Sequence, residues 1–501
     1  MDVVLEVQAP WSEWLLDGRK SIETRRYEFP QHLLGQRVWI LETPQGFTQQ
    51  SALPNQVSVP SAYGKIVGFV IFDQSKQYTT QQEWKDDEEK HLVKEASGYS
   101  WNEKELFFGW KVKGTQKMNS SPIEKISRIY RSFFLPVLTV PLIDISQPYE
   151  AHVLEAVEKQ CQTLGFLRVT WKDFPIDIVQ KGHQVTKEFF DMSEEIKQKA
   201  SKSSIKKTNE SFCSTGYRRN TSSYNSGGRE SWSCVRPDYD PFQHRDEYYT
   251  CPAGQKHFAV APDPQVPWPN APEEFKANIT EYYATVENLG KILLGIFGRI
   301  LKLDNPDHLV EISKHHTSSL NLTNLRINDN STLSKVILPS HGDITSVTIL
   351  SHDISSGASG TTCLEVANPF YDATIPYSLP WIALAENDVD TPFFLVNLGQ
   401  IMERWSGGRL KANLHRIVKP IHPSVLQRRQ ALVYFQITNY DTVLEPLQTT
   451  TGKQYKPEIM SEYTTTRLGI FNDSRMTAEE AYAVYNKDII DPEEYKKLST
   501  F

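Results

Sequence analysis

The stretch LPSHGDITSVTIL, residues 338–350, decides how the carboxyl-terminal part of this sequence folds. It reads as a β-strand run in which His341 and Asp343 stand two positions apart. Because residues i and i+2 of a strand point to the same side, we expect both side chains to converge, with Gly342 facing away. A second His-x-Asp, His244-Arg245-Asp246, lies in a turn-rich polar stretch without a strand pattern, and we interpret it as chance.

The surrounding sequence predicts a β-sandwich or barrel backed by helices. From Ser318 onward, short β-type runs such as SVTILS, FFLVNL and QALVYFQI follow one another at hairpin spacing. Ahead of them, helical patterns cover about 149–164 and 177–190. A long amphipathic pattern from Phe275 to Ile300 predicts a helix that backs the sheet.

His341 and Asp343 are candidate ligands of one metal ion, and later strand-like runs offer a third ligand and a cation. LKANLHRIVKP offers His415, and two imidazoles with one carboxylate form the facial ligand set of non-haem iron sites. A dicarboxylate cosubstrate that chelated the iron through one end would need a fixed cation at its far end. Arg429 in QRRQALVYF suits this role because its planar fork binds carboxylates bidentately. Strand alternation aims its neighbour Arg428 the other way.

From about Val140 to Leu468 the sequence resembles the isopenicillin-N-synthase-like branch of the 2-oxoglutarate- and Fe(II)-dependent dioxygenases. The resemblance rests on VPLIDIS, EFFDMSEEIKQKA, VPWP, HGD, LVNLGQIMERWSGGRLKANLHRIVKP and RRQALVYF, which occur in the family's order. It implies a double-stranded β-helix, or jelly roll, with flanking α-helices. It also implies Fe(II) on His341, Asp343 and His415, with 2-oxoglutarate held by Arg429.

The sequence departs from this family beside the expected cosubstrate site. The family usually has Arg-x-Ser, whose serine hydroxyl helps to hold the far carboxylate, whereas Ala431 stands here. NLTNLRIN also replaces the tyrosine before a proline that is common in the family. We therefore expect weaker 2-oxoglutarate binding than in relatives that keep the serine, unless another donor replaces it.

Residues 1–135 form a separate α+β pattern, and LLDGRKSIETRR in it places Lys20, Glu23 and Arg25 close together. Two interpretations stay open: these charges pair internally, or they await a ligand. The stretch resembles the ASCH domain, a small β-barrel related to PUA RNA-binding domains, and this implies a cleft for RNA or a nucleoside. A hydrolytic branch of that family uses a lysine and a threonine, and here Glu23 takes the threonine's place. Five tryptophans of this part of the sequence either belong to its core or stack on bases. They are Trp11, Trp14, Trp39, Trp101 and Trp110.

Composition sets the remaining limits. The 501 residues predict at least two domains, which we place at 1–135 and 136–501, and the net charge of −7 argues against coating nucleic acid by charge alone. No stretch is apolar enough to span a membrane and no signal peptide is evident, so we expect a cytoplasmic protein. The Ser- and Lys-rich stretch 199–229 predicts a flexible loop, either a solvated insertion or a basic lid over an anionic substrate.

The expected function is oxidation, by hydroxylation or desaturation, of an unidentified small molecule by an oxidoreductase that uses Fe(II) and 2-oxoglutarate. One alternative is an oxygenase that acts on RNA or a modified nucleoside recruited by the amino-terminal domain. An alternative of another class is an RNA- or nucleoside-binding protein with a degenerate oxygenase scaffold. The sequence does not define the substrate or the oligomeric state.

Overall fold

The computed structural model describes residues 3–44, 53, 56–59, 61, 64–118, 123, 125–201, 215–219, 229–237, 246–258, 266–326, 336–352, 363–369, 380–385, 391–418, 428–447, 455–470 and 475–499. Within these ranges, no helix combines the length and the apolar character needed to cross a membrane. The chain divides into two compact units at Thr139 and Val140. Unit 1 also takes two later strands, and unit 2 takes the other described residues from Val140 onward.

Unit 1 is a mixed α/β unit formed mainly by the amino-terminal residues. Its elements up to Thr139 are β1 (Val3–Gln8), α1 (Trp11–Leu16), β2 (Ile22–Arg25), a 3-10 turn (Gln31–Leu33), β3 (Arg37–Thr43), β4 (Gln56–Ser58), β5 (Lys65–Tyr78), α2 (Gln81–Asp86), α3 (Glu88–His91), β6 (Phe107–Lys117), β7 (Lys125–Tyr130) and β8 (Phe133–Thr139).

The elements after Thr139 alternate between helices and strands before the sequence becomes rich in strands. In chain order they are β9 (Leu142–Asp144), α4 (Ala151–Thr163), β10 (Phe166–Thr170), α5 (Ile176–Asp191), α6 (Glu194–Lys199), β11 (Gly216–Arg219), β12 (Arg229–Val235), α7 (Glu247–Thr250), α8 (Pro252–Phe258), α9 (Phe275–Ile300), α10 (His308–Glu311), β13 (Ser319–Arg326), β14 (Val336–His341), β15 (Val347–His352), β16 (Leu364–Ala367), β17 (Trp381–Ala385), β18 (Phe394–Leu398), α11 (Gln400–Trp405), β19 (His415–Val418), β20 (Arg428–Gln436), β21 (Val443–Leu444), β22 (Glu458–Ile459), α12 (Met460–Gly469), α13 (Ala478–Tyr485) and α14 (Pro492–Ser499).

One sheet organises unit 1, in the strand order β16-β17-β8-β1-β3-β5-β6-β2, with β7 on β8 and β4 on β7. Apolar side chains fill both of its faces, which explains the almost unbroken apolar run of β1. Val3, Leu5 and Val7 pack on one face, while Val4 packs with Trp39 on the other. Trp39 and Trp110 are fully buried, so these two tryptophans are core residues. Closure of the sheet into a barrel stays a prediction.

Two details of unit 1 differ from the sequence interpretation. The expected boundary between residues 135 and 136 falls inside β8, which pairs with β1 and, in parallel, with β17. The later strands β16 and β17, which read as part of the carboxyl-terminal domain, belong to unit 1.

The main sheet of unit 2 has the order β11-β12-β13-β20-β15-β18-β10-β9, and the pair β14-β19 lies outside it. The predicted long amphipathic helix is α9, and its buried residues share one core with apolar residues of β13, β15 and β20. We call the face covered by the helices the outer face. Alternation places every second side chain of each strand on the opposite, inner face.

Of the Ser- and Lys-rich stretch 199–229, the structure describes 199–201, 215–219 and 229. Residues 216–219 form β11, and Arg229 begins β12, which pairs antiparallel with it. The flexible-loop interpretation concerns residues that lie outside the described ranges.

Candidate metal centre

The three predicted ligands come together in unit 2. His341 is the last residue of β14 and His415 is the first residue of β19, and the two are direct partners in the antiparallel register. Asp343 lies beyond the end of β14, in the connection to β15. The expectation that His341 and Asp343 share one strand is therefore wrong, although their side chains do converge.

The ligand atoms are close enough to share one ion. His341 Nε2 lies 3.6 Å from Asp343 Oδ1, and His415 Nε2 lies 3.8 Å from the same oxygen. Two donors bound to one ion at about 2.1 Å can be at most about 4.2 Å apart, and both spacings satisfy that limit. One ligand atom from each of the three residues lies within 4.8 Å of the other two.

Hydrogen bonds on the far side of each ligand aim the remaining atoms at this point. His341 Nδ1 lies 2.8 Å from the Pro339 carbonyl oxygen, and His415 Nδ1 lies 3.3 Å from that of Asn413. A ring that donates from Nδ1 keeps the lone pair on Nε2 for a metal. Asp343 Oδ2 accepts from Thr348 Oγ1 and Asn397 Nδ2. Oδ1 is therefore the carboxylate atom turned towards the two imidazoles.

Electrostatics keep His341 and Asp343 in the protonation states that metal binding requires. Burial, and then the charge of His415, lowers the pKa of His341 to about 4, so this imidazole is neutral near neutral pH. Burial alone would raise the pKa of Asp343, but the neighbouring His415 and His341 and its two hydrogen bonds hold it below its ordinary value. A neutral imidazole and an ionised carboxylate are the metal-binding forms.

Residues from distant parts of the chain hold the Gly342-Asp343 connection, and sequence reasoning missed them. Asn486, which is fully buried, accepts a hydrogen bond from Gly342 N and donates to the Ser340 carbonyl oxygen. Gln400 donates from its side chain to the Gly342 carbonyl oxygen and from its backbone to that of Asp343. A Cβ atom on Gly342 would lie 2.3 Å from Ile489 Cδ1. A larger residue at this position would require the end of the Ile489 side chain to move, and the hydrogen bonds of Asn486 and Gln400 hold the path of the connection.

Arg429 lies on the inner face of β20, as strand alternation predicts. Arg428 turns to the outer face, where its guanidinium group pairs with Asp191 of α5. The Arg429 guanidinium Nη2 lies 2.9 Å from His352 Nε2. His352 stands directly opposite Ala431 in the β15-β20 register, so a ring with hydrogen-bonding nitrogens lies across from the missing serine.

The remaining candidates lie elsewhere. In unit 1, Lys20 and Glu23 are almost completely buried, with Lys20 Nζ 3.5 Å from Glu23 and Arg25 Nε 2.8 Å from it. Lys20 also donates to the His91 carbonyl oxygen. The three charges are thus paired with one another. His244 and Arg245 lie outside the described residues, and Asp246 caps α7 by accepting from Tyr248 N.

Known proteins are similar to part of this chain. Residues 140–249 match the family described as the amino-terminal domain of the non-haem dioxygenase in morphine synthesis. The chain is 27% identical over 365 residues to homoarginine-6-hydroxylase of Glycine max, covering 66% of this chain and 96% of that protein. It is 26% identical over 330 residues to the 2-oxoglutarate-dependent dioxygenase tropC of Talaromyces stipitatus, covering 63% of this chain and 91% of that protein.

A solved structure shows the same fold. A 2OG-Fe(II) oxygenase family protein from Caulobacter crescentus aligns with a TM-score of 0.51 at 18% identity, covering 66% of this chain and 99% of that chain. The jelly-roll class expected for the carboxyl-terminal domain is therefore confirmed at the level of the fold.

Proposed function

We propose a reaction for this protein from the premise that it is a 2-oxoglutarate- and Fe(II)-dependent dioxygenase, which its similarity to named enzymes of that class supports. In this proposal it oxidises a small molecule by hydroxylation or desaturation. The observation that carries the proposal is the convergence of two imidazole Nε2 atoms and one carboxylate oxygen on one point.

The donor set fits Fe(II). Two imidazoles and a carboxylate on one side of an ion leave its other positions open, as the facial triad of non-haem iron oxygenases requires. We assign His341 Nε2, Asp343 Oδ1 and His415 Nε2 as the ligand atoms. Bound Fe(II) would supply the activation of O₂, coupled to the oxidative decarboxylation of 2-oxoglutarate to succinate and CO₂, that no side chain can perform.

The protein's own residues orient this chemistry. Thr348 and Asn397 hold the Asp343 carboxylate, and their hydrogen bonds keep Oδ2 occupied so that Oδ1 serves as the ligand. The Phe166 ring meets the His415 ring edge-on at 5.6 Å and restricts its rotation. Outer partners of this kind contribute about 10–100-fold to metal affinity or activity.

We assign the far carboxylate of 2-oxoglutarate to Arg429. Its guanidinium group lies on the inner face, the face that also carries Thr348 and Asn397. We further assign His352 the part that a serine at position 431 would play, because it stands opposite Ala431 and contacts Arg429. If His352 Nε2 accepts a hydrogen bond from the Arg429 guanidinium group, the ring proton of His352 is on Nδ1, and Nδ1 is a hydrogen-bond donor.

The substrate class follows from the relatives. The Glycine max relative is named for hydroxylation of homoarginine, a small molecule, and it aligns over 96% of its own length. We therefore favour a small-molecule substrate over RNA, and we place the activity in the cytoplasm. The ligand atoms argue against a degenerate scaffold, since a scaffold has no need to keep them aimed at one point.

For unit 1 we propose an ASCH- or PUA-like domain. The supporting observation is that Lys20, Glu23 and Arg25 of the Gly-x-Lys-x-x-Glu-x-Arg stretch cluster around one carboxylate. Binding of RNA or a nucleoside at this cluster would require the existing pairs to open. Reversal of Lys20 and Arg25 to Glu tests that role, and unchanged RNA affinity would rule it out.

Succinate release tests the reaction. Purified protein is supplied with Fe(II), 2-oxoglutarate and O₂, and then with small-molecule fractions of a cell extract, while succinate and oxidised products are followed by mass spectrometry. We expect Arg429→Ala to remove nearly all 2-oxoglutarate binding and Arg428→Ala to change it little. Succinate formation that is unaffected by Arg429→Ala would contradict the cosubstrate assignment, and formation without 2-oxoglutarate would contradict the reaction class.

A further inference from the structure

Three arginines on β11, β12 and β20 of unit 2 share the inner face of its main sheet. Arg229 of β12 is the register partner of Leu325 in β13, and Leu325 is the partner of Arg429 in β20. Arg229 and Arg429 therefore lie on one rung, two strands apart, at about 10 Å between their backbones given about 4.8 Å per strand. Arg218 of β11 stands opposite Ser231, two residues along β12 from Arg229.

Alternation confirms which way these side chains point. Trp232 and Cys234 of β12 and Tyr217 of β11 pack into the core under the helices, on the outer face. Arg229, Ser231 and Arg218 have the opposite parity, which places them on the inner face. Arg326, the neighbour of Leu325, turns outward and pairs with Asp191 at 2.7 Å.

The Arg229 charge has no acidic partner within the described part of the chain. Among the residues that the structure describes, none places an acidic oxygen within ion-pair distance of the Arg229 guanidinium group. Burial, together with repulsion from Arg429 and Arg218, lowers the pKa of Arg229 to about 10, so it stays charged near neutral pH. A guanidinium charge without a counterion destabilises a fold unless a ligand supplies negative charge, and this applies to Arg229.

The Arg229 charge also reaches the metal centre. It interacts with Tyr482 of α13, whose ring centroid lies 6.3 Å from that of His341. An anion held by Arg229 would thus lie in the same interior as the three ligands.

We propose that Arg229, with Arg218 beside it, forms an anion subsite that binds a carboxylate or phosphate group of the molecule to be oxidised. This inference rests on the proposed function and specifies its substrate class. In this arrangement Arg429 binds the far carboxylate of 2-oxoglutarate, and Arg229 binds the anionic group of the molecule to be oxidised.

Anion binding to the cosubstrate-loaded protein tests this. The full chain is saturated with Mn(II) and 2-oxoglutarate, and inorganic phosphate and acetate are titrated separately by calorimetry. We expect one phosphate or acetate site in the wild type, and the tighter of the two identifies the anionic group. Arg229→Gln should weaken it roughly tenfold or more, the effect of losing hydrogen bonds to a charged group. Arg229→Lys, which keeps the charge but loses the fork, should weaken it less.

The controls separate this inference from the proposed function. Arg326→Gln, on the outer face one residue from the rung, should bind both anions like the wild type. Arg229→Gln should keep 2-oxoglutarate affinity within threefold and should melt no lower than the wild type, because it removes a repelled charge. Absent or unaltered anion binding, a large loss of 2-oxoglutarate affinity, or a lower melting temperature would overturn the subsite. Failure of the wild type to bind Mn(II) and 2-oxoglutarate would instead contradict the proposed function, and the anion titration would then be run without them.

Discussion

Two clusters of buried charge, one in each unit, differ in where their charged atoms point. In unit 1, Lys20 and Arg25 turn to the Glu23 carboxylate between them, and each cation also donates to a backbone carbonyl oxygen. In unit 2, backbone carbonyl oxygens bind the outer nitrogens of His341 and His415, and side chains bind the outer oxygen of Asp343, so that the inner atoms face one another. Residue type does not separate an ion-pair network from a metal site, whereas the direction of the lone pairs does.

The two arrangements also differ in what they cost the fold. A paired cluster offsets the desolvation of its own charges, so removing one member leaves the others unpaired. A triad of converging lone pairs contributes little to folding without an ion. Its members can therefore be replaced with small effects on stability and large effects on function. The following substitutions test this contrast in order of expected effect.

The largest effect is expected from the metal ligands. His341→Ala and His415→Ala should each abolish Fe(II) binding, since each removes one of only three protein ligands, while the melting temperature stays close to that of the wild type. Anaerobic calorimetry with Fe(II) measures the first and circular dichroism the second. His316→Asn is the matched control, because this buried histidine of unit 2 pairs with Glu287 away from the triad. Stoichiometric Fe(II) in either alanine variant would contradict the assignment.

The opposite outcome is expected in unit 1. Glu23→Gln leaves Lys20 and Arg25 buried without their shared carboxylate, which costs about 3–5 kcal/mol of unfolding free energy. Denaturant unfolding followed by tryptophan fluorescence should register the loss, and Fe(II) affinity should not change. Unchanged stability would show that the cluster is not a structural ion pair and would favour a ligand-binding role.

A smaller effect is expected from the residues that hold the ligand connection. Asn486→Ala removes both hydrogen bonds around Gly342 and should weaken Fe(II) binding about 10–100-fold, as for other partners behind a metal ligand. Asn439→Ala serves as the control, because Asn439 accepts from His315 N in a loop of unit 2 and has no contact with the triad. Equal Fe(II) affinities of the two variants would mean that the carboxyl-terminal helices do not position the ligands.

The smallest effect concerns the missing serine. If His352 supplies the absent donor, His352→Ala should weaken 2-oxoglutarate binding about tenfold, the value of one hydrogen bond to a charged oxygen. Ala431→Ser should change little in the wild type but should restore part of the affinity in the His352→Ala background. Strong tightening by Ala431→Ser alone would instead show that no residue has replaced the serine.

How much the sequence could predict differs between these features. The inward direction of Arg429 follows from strand alternation, which short-range patterns reveal. The approach of His341 and His415 depends on the register of two strands that are far apart in sequence. The position of Asp343 beyond β14 does not, because the strand ends where Asn486 and Gln400 take over the hydrogen bonds of the backbone. Those two residues are distant from His341 in sequence, and only the folded chain brings them there. The membership of β17 in unit 1 is likewise set by its pairing with β8.

A crystal structure of the protein soaked with Mn(II) and 2-oxoglutarate would test the metal centre most directly. We expect one metal ion bound by His341 Nε2, Asp343 Oδ1 and His415 Nε2, with the far carboxylate of 2-oxoglutarate on Arg429. A metal ion bound elsewhere, or 2-oxoglutarate bound away from Arg429, would contradict the assignment of these residues.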